Sequence, residues 1–112
     1  MSPVERARCA LSGAGYTVYR PGEAQGTCRG AYLVVFDGGT AASSGGGMKR
    51  AVGVTACAPL GQSDTLFDML SGATAALAPL GMKPRGAAGP EDVDEAFRAH
   101  TQTIEFVALC AM

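Results

Sequence analysis

The segment Ala31-Tyr32-Leu33-Val34-Val35-Phe36 constrains this chain more than any other stretch. It is rich in β-branched and aromatic residues, is apolar on both faces of a strand, and is ended by Asp37-Gly38-Gly39. Continuous apolarity predicts a central strand covered on both sides, by a helix or by a neighbouring subunit. Asp37 to Gly47, DGGTAASSGGG, then reads as a flexible hairpin tip of Gly, Ser, Ala and Thr. Met48 to Ala58 returns as a second long strand, with Val52, Val54 and Ala56 on one face and Lys49, Thr55 and Cys57 on the other. Two such strands form an extended hairpin expected to project beyond the body.

The rest of the chain supplies the cover. Ser2-Pro3-Val4-Glu5 is a helix start, with Ser2 as cap, Pro3 at the first helical position and Glu5 closing a capping box. Val4, Ala7 and Leu11 then share one face, and Gly13 and Gly15 end the helix. Tyr16 to Arg20 reads as a strand stopped by Pro21-Gly22, and Gly22 to Gly30 as a loop. A second helix begins at Ser63-Asp64 and carries the apolar stripe Leu66, Leu70, Ala73 and Leu77, widened by Phe67 and Leu80, before Pro79 and Gly81 stop it. Met82 to Gly89 is a connector with room for a short strand, and Pro90 to Asp94 an acidic turn with helical character. Thr101 to Cys110 is the last strand, with Ile104, Phe106, Ala108 and Cys110 on one face. The predicted fold is α+β: one domain over residues 1–112, a single mixed or antiparallel sheet of four or five strands, and two helices on one face, in the order α-β-β-β-α-(β)-β.

Charge and composition narrow the function. Charged residues make up 17% of the chain, below the roughly 25% of ordinary soluble domains, which favours burial against a partner. The formal net charge is −1, and the basic residues are scattered apart from Lys49-Arg50, so sequence-specific nucleic-acid binding is not expected. Met1 to Leu11 carries Glu5, Arg6 and Arg8 where a signal peptide has an apolar run, and no stretch approaches the roughly 20 apolar residues that span a bilayer. The expectation is a protein kept in the cytosol until it joins something larger, with no membrane partner. Cys9, Cys28, Cys57 and Cys110 are widely spaced and read as reduced thiols.

Each candidate for chemistry lacks its context. Gly45-Gly46-Gly47 precedes Lys49, but Met48 intervenes, Arg50 stands where a phosphate loop has a hydroxyl, and a strand follows where a helix is needed. His100 is the only histidine and has no nucleophile or carboxylate paired with it in sequence. The cysteines form no zinc-type pairs, and Glu91, Asp92, Asp94 and Glu95 lack the calcium-loop pattern. No catalytic residue, metal ligand or cofactor is therefore assigned. For the tip between Asp37 and Gly47, two readings stay open: a tolerated surface loop, or a finger that folds against a neighbour during assembly. In the second, Thr40, Ser43, Ser44, Lys49 and Arg50 are the subunit-contact residues, with Lys49 and Arg50 anchoring on acidic groups of the next subunit.

Taken in order, these features resemble the tail terminator (tail completion, or minor tail) proteins of long-tailed bacteriophages and prophages. The resemblance runs along nearly the whole chain: the N-terminal helix, Tyr16-Thr17-Val18-Tyr19, the strand Ala31 to Phe36, the glycine-rich hairpin and Arg50-Ala51-Val52-Gly53-Val54-Thr55. It continues through the helix opened by Ser63 and closed by Ala75 to Leu80, and ends on Ala99-His100-Thr101-Gln102-Thr103-Ile104-Glu105-Phe106. It implies a virion structural protein, not an enzyme, that forms a ring, commonly a hexamer, at the end of the tail tube. That ring stops tail growth and offers the surface to which the head connector attaches. Its partners would be copies of itself, the tube protein and the neck proteins, with DNA passing through the ring. Another neck or head-tail joining protein is the near alternative, and a small ligand-binding or regulatory α+β domain the alternative from a different class.

Overall fold

Ser2 starts the first helix as its place before Pro3 requires. In α1 (Pro3–Gly13) the Ser2 hydroxyl accepts the Glu5 N–H at 3.2 Å. The Glu5 carboxylate pairs with Arg8 one turn on and lies 3.6 Å from Arg20, so it ties the helix to the following segment. These contacts, the hydrogen bond from Arg8 foremost, hold the Glu5 carboxyl below its ordinary range. Ser2→Ala is expected to cost about 1 kcal/mol, the usual worth of such a cap, read as a shift in the urea midpoint with unchanged slope.

The computed structural model describes residues 2–42 and 48–109. After α1 come β1 (Val18–Tyr19), β2 (Tyr32–Ala42), β3 (Met48–Pro59), α2 (Asp64–Leu77), a 3₁₀ turn at Ala78–Leu80, β4 (Lys83–Pro84), β5 (Asp92–Asp94) and β6 (Ala99–Leu109). They build one mixed six-stranded sheet in the order β1-β2-β3-β6-β4, with β5 also on β6, so the fold is α+β. β1 runs parallel to β2 through Val18↔Leu33 and Tyr19↔Val34, and the other pairs are antiparallel.

Both helices cover one face. Leu33 and Val35 of β2, Val52, Val54, Ala56 and Ala58 of β3, and Ile104, Phe106 and Ala108 of β6 point into this layer. Ala7 and Leu11 of α1 and Leu66, Met69, Leu70, Ala73 and Leu77 of α2 meet them there. The alternation along β3 and β6 and the stripe on α2 thus act as the sequence implies, because each strand turns every second side chain to the helices.

Several elements differ from the sequence expectation, each for a local reason. The central strand is β3, flanked by β2 and β6, while β2 stands next to the edge. The ladder does not stop at Asp37 but runs on to Ala42↔Met48, because a bulge between Asp37 and Gly39 absorbs the extra residue. Gly39 takes φ +91° there, and Gly38 lies so close to β3 that an added Cβ would stand 3.0 Å from that of Ala51. The acidic turn is β5, a strand on the edge of β6, closed into a hairpin by the Asp94 carboxylate, which accepts the N–H groups of Ala96 and Phe97. Ser63 precedes α2 but makes no side-chain cap; the Ser63 carbonyl accepts the Leu66 N–H instead. Phe67 does not widen the buried stripe. It is 73% exposed, since it sits about 100° around the helix from Leu66, off the buried stripe.

Candidate functional site

The hairpin residues divide into three groups. Arg50 pairs its guanidinium with Asp37 of its own chain, across the base of the hairpin. The same carboxylate accepts the Gly39 N–H at 2.8 Å, and these contacts, the backbone bond first, hold Asp37 below its ordinary value. Arg50 is therefore already engaged at the site where it was expected to reach a neighbour. Thr40 and Lys49 belong to the ladder by their backbones, Thr40 opposite Arg50 and Lys49 between Ala41 and Leu109. Ser43 and Ser44, with Gly45 to Gly47, lie outside the described residues. Because β6 accompanies β3 as far as Lys49, the hairpin base is a three-stranded extension.

Opposite the helices, the sheet presents a second face made of Tyr32, Val34 and Phe36 on β2, Ala51, Gly53, Thr55 and Cys57 on β3, and alternate residues of β6. The far end of the Phe36 ring covers Gly53, where an added Cβ would clash with Cζ, Cε1 and Cε2. Thr55 and Thr103 share a hydrogen bond of 2.7 Å, so their hydroxyls are satisfied within the face. Tyr19 meets Tyr32 edge-on with centroids 5.1 Å apart. Among the described residues no helix covers this face, and Tyr32, Val34, Phe36 and Val107 remain half-buried.

One end of that face is closed by the loop between β1 and β2. The Cys28 N–H donates to the Phe97 carbonyl at 2.7 Å, tying the loop to the β5–β6 turn, and the Cys28 thiol donates to the Gly30 carbonyl at 3.2 Å. Cys28 and Cys57 are both buried, although the polar run around Cys28 gave no sign of it. Burial pushes the Cys57 thiol up to about 11 and raises that of Cys28 as well. Neutral Cys57 therefore stabilises the fold fully below the ordinary thiol value of 9.0, and that contribution is lost as pH rises toward about 11. Alkylation at pH 8 followed by peptide mapping is expected to label exposed Cys9 readily and to leave Cys28 and Cys57 protected until the chain is unfolded.

Beside the loop lies a half-open cleft of about 420 Å³, lined among others by Thr17, Tyr19, Thr27, Arg29 and Tyr32. His100 stands on the helix face, where Nε2 accepts the Gly61 N–H at 3.3 Å and Nδ1 lies 3.3 Å from the Glu91 carboxylate. Cys57 belongs to the opposite face, one register row away, so the strand separates this thiol from the imidazole. Among the described residues, no three His, Cys, Asp or Glu side chains come close enough to hold a metal ion, and no helix is long and apolar enough to cross a membrane.

The two rims of the sheet are unlike. On one side, β1 covers only two residues of the eleven in β2. On the other, β4 and β5 cover β6 at its two ends, and between them the N–H groups of Arg85 and Gly89 donate to Glu105 and Thr103. One rim is thus mostly unpaired backbone and the other mostly satisfied. No family model and no curated protein matches this chain.

Proposed function

We propose that this protein is a structural component that assembles with copies of itself, as a tail terminator does, into a ring that caps a phage tail tube and receives the head connector. The observation that carries the reading is the β2 rim, an eleven-residue strand whose outer backbone is paired, among the described residues, over only two residues. Unpaired strand edges are templates for another chain, and proteins that do not use them usually block them. The half-buried apolar face beside that rim and the low charged fraction support the same conclusion. Unlike surfaces on opposite sides of a protomer suit head-to-tail contacts, which close into a ring when the rotation per copy allows. In this role the tube protein and the neck proteins meet the ring on its two ends, and its place is the virion after a period in the host cytoplasm.

Light scattering over a concentration series tests the self-association. The expected result is a mass several times the 11.3 kDa of one chain, which falls on dilution. A mass fixed at one chain at every concentration, with tail tubes present or absent, would sink the proposal.

A second reading draws on the cleft of about 420 Å³, a volume within the usual range of small-molecule sites. There Arg29 would hold an anionic group beside the two tyrosines. Tyr19 and Tyr32 are two of the three tyrosines in a chain without tryptophan, so tyrosine fluorescence reports directly on ligands entering the cleft. Saturable quenching of a stable monomer would favour this reading over the ring.

A further inference from the structure

Three segments that are far apart in sequence meet at one imidazole. His100 lies on the helix side of β6, between Ala58 of β3 and Val93 of β5. Its Nε2 accepts the N–H of Gly61, in the turn between β3 and α2, at 3.3 Å. Its Nδ1 is buried and lies 3.3 Å from the carboxylate of Glu91, just ahead of β5, without an aligned hydrogen bond. A ring nitrogen that accepts must keep its lone pair, so the imidazole is neutral here and its proton sits on Nδ1. One nitrogen is thus satisfied, while the other holds a buried donor off the line of its carboxylate neighbour.

The bond to Gly61 secures the approach to α2. Among the described residues it is the one hydrogen bond that ties the turn from Leu60 to Ser63 to a distant segment. Gln62 N–H donates to the Pro59 carbonyl, and Thr65 and Leu66 donate to Gln62 and Ser63, all of them local bonds. Ser63 adds no side-chain cap.

Proton uptake acts on this arrangement directly. Nδ1 already carries a hydrogen, so the proton from solvent goes to Nε2, and the imidazolium then has a donor on each side. Two N–H groups face each other at Gly61, and the bond there is lost. At the same time the ring gains a positive charge 3.3 Å from Glu91. The other elements at the ring bring little charge to it. β3 offers Ala58 and Pro59, and the turn has no charged residue before Asp64, in the first turn of α2. On β5, Asp92 and Asp94 alternate to the side opposite Val93, and Asp94 already accepts from Ala96 and Phe97. Arg98 is exposed in the β5–β6 turn.

We propose that His100 is a proton-operated latch: neutral, it holds the turn ahead of α2 through Gly61, and protonated, it releases that turn and is held by Glu91. The latch is a property of the single chain and does not rest on the self-assembly reading.

Nuclear magnetic resonance of the full chain tests this, because the single histidine makes the imidazole signals unambiguous. At high pH the ring nitrogens are expected to report the Nδ1–H tautomer. As pH falls, the hydrogen-exchange protection factor of the Gly61 amide should drop roughly tenfold, the weight of one lost hydrogen bond, with the same midpoint as the imidazole. A neutral ring protonated on Nε2 overturns the proposal, as does Gly61 protection that is equal in the neutral and charged states. A ring that takes up no proton before the whole chain unfolds overturns it too. His100→Gln supplies an amide oxygen that can accept from Gly61 but takes up no proton in this range. Gly61 protection in that variant should stay constant; a drop over the same pH range would place the titrating group elsewhere and contradict the latch.

Discussion

Phe106→Ala is expected to remove about 3–5 kcal/mol of stability, the largest loss of any single truncation in this fold. Phe106 has no exposed surface, pairs with Val52 on the central strand, and has β4 on its other side at Pro84. Removing the ring leaves a cavity bounded by strands on both sides and by the helix layer, which cannot collapse without breaking the ladder. A domain of this size has only about 5–15 kcal/mol in total, so the variant should be partly unfolded at moderate temperature. Urea unfolding followed by circular dichroism measures the effect. A loss below about 1 kcal/mol would mean that β6 does not pack beneath the helices as described.

Gly53→Val is the second large effect, and it acts on the opposite face. The Phe36 ring occupies the space that any side chain at position 53 would need. Valine has the better strand propensity, which alone would stabilise by a few tenths to about 1 kcal/mol. The clash reverses that sign: Phe36 must swing off the sheet, and overpacking of this kind costs about 1–3 kcal/mol. The displaced ring also roughens the uncovered face, so self-association should weaken beyond the loss in monomer stability. Phe36→Leu with Gly53→Val makes room at position 53 and is expected to recover part of the stability. A fully stable Gly53→Val chain with unaltered association would show that Phe36 neither rests on Gly53 nor contributes to an interface.

Much of the helix-covered layer was legible because strand and helix periods leave regular marks. The spacing alone groups Val52, Val54 and Ala56, then Ile104, Phe106 and Ala108, then Leu66, Leu70, Ala73 and Leu77, and each group is buried on one shared side, with Cys110 outside the described residues. What stayed hidden depended on partners far away in sequence. The parallel pairing of β1 with β2 leaves no local signal, since two residues of strand carry no period. β5 is a strand only because β6 offers it an edge, and its acidic composition reads locally as a turn. The bulge that carries β2 past Asp37 was masked by its glycines, which suggest a tip as readily as a strand irregularity. Cys28 is buried because a loop is tied to Phe97 across the sheet, a contact between segments of no sequence relation. For the candidate surfaces, the sequence pointed to the hairpin, and Arg50 proved to be held by Asp37. The exposure of Phe67 is not legible because an aromatic at the flank of an apolar stripe reads as core. A helical wheel with Asp64 and Asp68 beside it was the available warning.

The proposed role, a ring that ends a tail tube, is tested most directly by electron microscopy of tail tubes growing in the presence of the protein. The expected result is a ring at tube ends and arrested growth, so that tube lengths stop increasing once the protein is added. Tubes with bare ends that lengthen at the same rate with and without the protein would contradict it.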